Sequence, residues 1–287
     1  MKIIISVDTE ADDQWKREST LSIDNVFMLD RFQNLCERYN MPPTYLLTHE
    51  VATSEKATQQ FKIWQDRGAE IGAHLHPWTT PPLDERDADE NPFPSELSDE
   101  ELGEKLSNLT RAVGKVCGHS PTSYRAGRWG FDARQAEFLE ELGYTVDLSI
   151  TPGLSWKKLK GRGGAAGGPD FSKEQIEPRL LNDKVLEVPM TILRTGFLRR
   201  LKWLRVFENT TVMQLKSVIK TALRRGLPTA VFMIHSSELA VGKSPYVKTP
   251  DALEHVYECL EGLFKVCEKE GVRGITASAF AKEYKTV

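Results

Sequence analysis

Eight short runs rich in β-branched and aromatic residues, at 2–8, 43–48, 69–76, 121–126, 144–150, 185–190, 229–235 and 272–276, alternate with longer segments of helical period. This alternation leaves few architectures open, because strands separated by helices pair in parallel as βαβ units around a buried sheet. The helical segments carry their own punctuation. Between 22 and 39, Val26, Leu29, Phe32, Leu35 and Cys36 make one apolar stripe. Ser98, with Glu101 three residues on, reads as a capping box whose helix stops at Gly118. Thr249 precedes Pro250 at the first helical position of a segment that ends at Gly271. Two stretches break the rhythm. Residues 79–97 are rich in proline and acid and read as a long loop, and 161–169 form a Gly-rich loop without the Lys-Ser/Thr that closes a phosphate-binding loop. Strands of the same character continue on both sides, so the expectation is one barrel-like α/β domain over 1–287.

Charge and cysteine usage narrow the function. A formal net charge of -3 supplies no basic field for a phosphate backbone, so no nucleic-acid partner is expected. Cys36, Cys117, Cys259 and Cys267 are scattered, which argues for reduced thiols rather than disulfides or a thiolate zinc site. The apolar run Ile3 to Ile5 is too short for a signal peptide, and no run approaches the roughly 18 apolar residues of a spanning helix. The expected location is the cytoplasm. The stretch "GFLRRLKWLR" (196–205) puts Phe197, Leu198, Leu201 and Leu204 on one helical side, with Arg199, Arg200, Lys202 and Arg205 interleaved. A docked helix with a solvated basic face is the commoner form of such a pattern; contact of 196–205 with an anionic membrane is the alternative.

Unusual polar residues collect at the C-terminal ends of the expected strands, the edge where parallel α/β folds build their sites. The first strand ends in Asp8 with Glu10 beyond it, the third in His74 and His76, the fourth in Arg125 and the seventh in His235, while the fifth holds Asp147. Residues i and i+2 of an extended chain point the same way, about 6.6 Å apart, so His74 and His76 can converge on one ion. A carboxylate from Asp8 or Glu10 would complete a two-histidine, one-carboxylate set with open positions for water. Each residue also has a plainer reading. His235 suits a core histidine, Arg125 and Asp147 a structural ion pair. Trp15, Trp78 and Trp129 follow strand ends, where aromatic faces stack on sugar rings or simply pack.

The motifs, in their order along the chain, resemble those of the polysaccharide deacetylases with a NodB-homology domain. "SVDTE" (6–10) is similar to the first motif, "EIGAH" (70–74) to the second, "SYRAGRWGFD" (123–132) to the third and "VFMIH" (231–235) to the last. "GYTVDLSITPG" (143–153) and "EVPMT" (187–191) resemble segments between them. The chain departs from the pattern where Thr9 stands in the usual place of a second Asp and Trp78 in that of the second motif's last His. Glu10 and His76 are the natural replacements. The resemblance implies a distorted (β/α) barrel of about seven strands and a metal-dependent hydrolase that removes an N-acetyl group from an amino sugar or saccharide. It implies Asp8 as general base, Arg125 as its orienting partner, Asp147 beside Arg125, His235 as general acid, and Glu10, His74 and His76, with Asp8 possible, around a divalent ion, zinc first and cobalt or nickel next. Trp15, Trp78 and Trp129 are the expected sugar contacts. Hydrolysis of another small C–N bond and an inactive saccharide-binding homologue are the alternatives.

Overall fold

A computed structural model describes residues 1–14, 21–85, 91–196 and 199–285. The strands are β1 (Lys2–Thr9), β2 (Pro43–Leu47), β3 (Glu70–Leu75), β4 (Ser123–Ala126), β5 (Val146–Asp147), β6 (Arg179–Leu180), β7 (Leu186–Glu187), β8 (Ile192–Thr195), β9 (Arg200–Trp203), β10 (Thr229–His235) and β11 (Arg273–Gly274). The helices are α1 (Asp30–Arg38), α2 (His49–Ala52), α3 (Glu55–Asp66), α4 (Asp99–Cys117), α5 (Ala133–Glu141), α6 (Val212–Arg224), α7 (Pro250–Lys269) and α8 (Ala277–Tyr284). All eight expected strands form, and two short additions, β6 and the β8–β9 hairpin, were not read from the sequence.

One sheet runs in the order β10-β1-β2-β3-β4-β5-β7-β6, with β11 pairing the start of β1. Its pairings are parallel except β6 with β7. The sheet curls until the chain after β7 approaches β10, where the Thr191 hydroxyl accepts from the Val231 N–H at 2.8 Å. A side chain thus bridges the seam that a full ladder would have closed.

Strand parity sorts the core into two faces. Ile3, Ile5 and Val7 of β1, Ala73 and Leu75 of β3, and Phe232 and Ile234 of β10 pack outward against the helices. Ile4, Leu46, Val146, Leu148, Val188, Met190, Val231 and Met233 fill the barrel interior, which α8 plugs with Phe280. Each fully buried aliphatic chain contributes about 1.5–3 kcal/mol. The inward series on β1 then continues from Ile4 through Ser6 to Asp8, and that on β3 runs from Gly72 to His74. Above the apolar plug, the inner face becomes polar.

Helix ends follow their local chemistry. Ser98 and Glu101 exchange capping bonds, the Glu101 N–H reaching Ser98 Oγ at 3.2 Å and the Ser98 N–H reaching Glu101 Oε2 at 2.9 Å. Gly118 closes α4 at φ 77, a left-handed position that suits glycine. Inside α4 the buried Lys105 ammonium donates to the carbonyls of Pro77 at 2.8 Å and Thr80 at 3.0 Å, and also to that of Pro82. These charge-assisted bonds hold the loop that follows His76.

The described part of 196–205 is not the expected helix. Residues 200–203 are β9, paired antiparallel with β8 through Leu193↔Lys202 and Ile192↔Trp203. Leu201 and Trp203, two apart on one strand face, pack on the interior cluster, and Leu204 is buried. Leu201, Trp203 and Leu204 are therefore spent inside the protein, and residues 200–203 do not form the amphipathic helix on which membrane contact rested; Phe197 and Leu198 lie outside the described residues. Among the described residues no helix is long and apolar enough to cross a membrane.

Candidate active site

The polar inner face opens into a cavity of about 180 Å³ at the C-terminal edge of the sheet. Asp8, Glu10, His74, His76 and His235 line it, with Trp78 and Trp129 in its walls. The first four are each no more than 3 % exposed, so they are not solvated strand ends. Register explains the convergence: Asp8 lies opposite His235 on β10, and His74 opposite Arg125 on β4. Thr9 points the other way, into the wall, where its hydroxyl donates to the Val7 carbonyl at 3.1 Å. Parity alone thus removes Thr9 from the site and admits Glu10.

Arg125 is fully buried beneath Asp8. Its Nε donates to the Leu148 carbonyl at 2.9 Å, one terminal nitrogen to Ser6 Oγ at 2.8 Å, and the other forms an ion pair with Asp8 Oδ1. Burial alone would raise the Asp8 pKa, but the Arg125 guanidinium, helped by His74 and His235, outweighs it and holds the carboxyl below its ordinary value. Asp8 Oδ2 is 3.9 Å from His74 Nε2. Glu10 has no such cation against it; burial pushes it up to about 8 despite the pull of His235.

The ligand-capable atoms of Glu10, His74 and His76 lie within 4.8 Å of one another. His74 Nδ1 is 3.0 Å from the Arg125 carbonyl, to which it donates, leaving the lone pair on Nε2 toward the cavity. His76 Nε2 is 3.5 Å from Glu10 Oε2, and its buried Nδ1 has no hydrogen-bond partner among the described residues. Burial lowers the pKa of both rings, that of His76 well below the ordinary value, so these carboxylate contacts are not ion pairs. Two neutral imidazoles and a carboxylate are a donor set that fits a divalent ion.

His235 is held from behind. Its Nδ1 lies 3.1 Å from Glu238 Oε1 and 3.0 Å from an Arg205 nitrogen, and Arg205 bonds Glu238 at 2.6 Å. Burial opposes the charged ring, but the Glu10 and Glu238 carboxylates lift the His235 pKa above its ordinary value. Arg205 and His235 in turn hold Glu238 down at about 2 against its burial.

The structure separates Asp147 from this group. Asp147 is in register with Tyr124 and Glu187, and Tyr124 belongs to the helix-facing core, so both acids lie on the outer face of the wall. Ser149 Oγ donates to Asp147 Oδ1 at 2.5 Å, and Arg125 takes Asp8 instead. The expected Arg125–Asp147 pair is corrected by strand parity: Val146 and Leu148 point inward, so Asp147 cannot. Trp15 lies outside the described residues.

Several wall residues carry no motif. Gln14 accepts from Trp78 Nε1 at 3.2 Å and donates to Glu50 at 3.0 Å. Trp78 stacks on His76 with ring centroids 4.2 Å apart, and Trp156 joins Trp129 through Trp203. A Cβ on Gly127 would lie 2.6 Å from His76 Cδ2, so that glycine admits the imidazole. Arg128 and Trp129 sit at φ 52 and 61, left-handed values that cost non-glycine residues and gather at functional sites. Glu238 had one readable signal, an acid three residues after His235; Arg205 had none.

No protein-family model matches the chain, and no curated protein sequence matches it. Solved structures do. An allantoinase, Puue, superposes with a TM-score of 0.63 at 10% identity, over 100% of this chain and 90% of that one. A Mycobacterium smegmatis protein assigned to the polysaccharide deacetylases gives 0.60 at 14% identity, over 99% and 90%. A mutant of a CE4 family pseudoenzyme with restored enzymatic activity gives 0.50 at 11% identity, over 98% and 67%. At such identities the likeness is one of architecture, and the chain has the NodB-homology (β/α) barrel fold that its motifs resemble.

Proposed function

We propose that the chain is one catalytic domain, a metal-dependent hydrolase that removes an N-acetyl group from an amino sugar or small saccharide. The observation that carries this reading is the buried convergence of Glu10, His74 and His76 beside an ionised Asp8 and a carboxylate-backed His235. Glu10, His74 and His76 would hold the ion, zinc by the donor set, with cobalt or nickel as substitutes. When bound, the ion supplies Lewis acidity to a water and to the amide oxygen. Asp8 offers Oδ2, the oxygen not taken by Arg125, to accept the proton of the attacking water. Arg125 fixes the orientation of that carboxylate. His235, with Nδ1 anchored on Glu238, offers Nε2 to protonate the leaving nitrogen as the C–N bond breaks. The products are acetate and a free amine. Trp78, Trp129 and Trp156 supply flat apolar faces for a sugar ring.

Likeness to an allantoinase and a cavity of only about 180 Å³ favour a second reading, hydrolysis of another small C–N bond. Metal analysis of wild type and His74→Ala, joined to an acetate-release screen over N-acetylated sugars and other small amides, tests both. About one divalent ion per chain, lost in the variant, with acetate released from a sugar, is the expected result. A folded wild-type protein that retains no ion defeats the metal site; an ion without any release selects a saccharide-binding protein.

A further inference from the structure

A second cavity of about 210 Å³ adjoins the first on the β10 side, and apart from Arg205 and Glu238, which hold His235 from behind, the residues lining it have no part in the chemistry above. Arg205 and Tyr246 line both cavities. Beyond them the walls are mostly apolar, built by Val206, Phe207, Val247, Ala252 and Val256. Phe207 and Tyr246 remain 48% and 57% exposed. For scale, an apolar cavity of about 150 Å³ suffices for benzene. At the junction, Arg205 is 8% exposed, and its buried Nε has no hydrogen-bond partner among the described residues. Arg205 lines both cavities, so a group that spans them passes beside this side chain.

Resting on the hydrolase reading, we infer that the amine half of the substrate carries an apolar group through an oxygen linkage, the linkage passing between Arg205 and Tyr246 and the apolar group filling the second cavity. The side is set by His235. That ring gives its proton to the leaving nitrogen, and the second cavity lies behind it, sharing Arg205 and Glu238 with the anchor of Nδ1. Glu10, His74 and His76 stand at the ends of β1 and β3 and none of them lines this cavity, so the acyl end lies on the other side of His235. The substrate is therefore amphipathic, an N-acetylated polar ring bearing an aryl or short alkyl ether or glycoside.

The methyl and benzyl β-glycosides of N-acetylglucosamine, given to the zinc-loaded full chain, provide the test. Burial of one phenyl ring should raise kcat/KM for the benzyl compound about tenfold or more over the methyl one, mainly through KM. Ala252→Phe, which fills the cavity, should bring the two values together; Ala252→Leu, a milder filling, should do so in part and serves if the larger ring prevents folding. Equal values in wild type, or a benzyl preference that both variants keep, overturn the inference. If neither glycoside is cleaved, glycosides of N-acetylglucosamine are not the substrate, and benzyl alcohol binding followed by ligand-observed NMR judges the cavity by itself. Saturable binding weakened by Ala252→Leu supports an apolar occupant, and no saturable binding in wild type rejects it.

Discussion

The barrel wall buries two pairs of acids, one on each face, and of the four only Asp8 is held below its ordinary pKa. Asp8 and Glu10 follow β1 on the inner face; Asp147 and Glu187 are register partners on β5 and β7, facing the helices. On the inner face the Arg125 guanidinium meets Asp8 and keeps it ionised. On the outer face Arg179, opposite Glu187 in the β6 register, is bound to Glu174 at 2.5 Å, and Arg125, whose charge pulls on Asp147, is paired with Asp8. The outer carboxyls therefore hydrogen-bond each other, and burial raises both pKa values, that of Glu187 well above the ordinary range because the Asp147 charge adds to it. Equal burial thus yields a ready base in one place and a shared structural proton in the other. The cation makes the difference.

The sharpest way to break this contrast is to neutralise one acid from each pair. Asp8→Asn should lower acetate release by about 10²–10⁴-fold, the usual worth of general base catalysis, while the metal content stays that of wild type. Asp147→Asn should leave turnover at the wild-type level, since that carboxylate does not reach the cavity. Equal losses in the two variants would show that the faces are not chemically distinct. Next in size is the cation itself. Arg125→Met leaves a buried carboxylate without its partner, which should cost about 3–5 kcal/mol in denaturant unfolding, and adding Asp8→Asn should recover part of that loss. Two additive losses would contradict the pairing.

Much of the inner pair was legible in the sequence, because period-two alternation fixes what Asp8, Glu10, His74 and His76 share once their strands are known. The strands themselves were legible from β-branched runs. The face of Asp147 was not. In "YTVDLSI" the apolar residues at 144, 146, 148 and 150 share one parity, so Asp147 and Ser149 must share the other. Nothing local says which parity points into the barrel; that depends on the curl of the whole sheet. The stretch 196–205 failed for a related reason, since its apolar residues satisfy helical spacing while Leu201 and Trp203 also satisfy strand spacing, and the long-range pairing with β8 decided. Arg205 and Glu238 were hidden because their partnership joins segments about a turn beyond two different strands.

Glu238 tests the same rule with a single acid. It is ionised beside Arg205 and lifts the His235 pKa. Glu238→Gln should reduce kcat roughly ten- to a hundredfold, as loss of an orienting carboxylate behind a functional imidazole does, and should move the alkaline limb of the pH profile to lower pH. A lower kcat with an unmoved limb would mean that Glu238 acts only on the fold, not through His235.

The smallest effect belongs to the outer pair and appears in stability, not turnover. Folding leaves Glu187 with a pKa above that of the unfolded chain, so the folded protein keeps a proton that the unfolded chain releases. Its stabilising share is complete below the unfolded carboxyl range, near pH 4.3, and is lost as pH rises toward the folded value. Glu187→Gln can still donate from its amide to Asp147 but carries no titrating proton. Other buried groups also titrate, so the informative quantity is the difference between the two melting curves. Relative to wild type, Glu187→Gln should gain melting temperature steadily from pH 5 to pH 8. Parallel curves would show that no proton is held between Asp147 and Glu187, and the charges of Arg125 and Arg179 would then have to keep both carboxylates ionised.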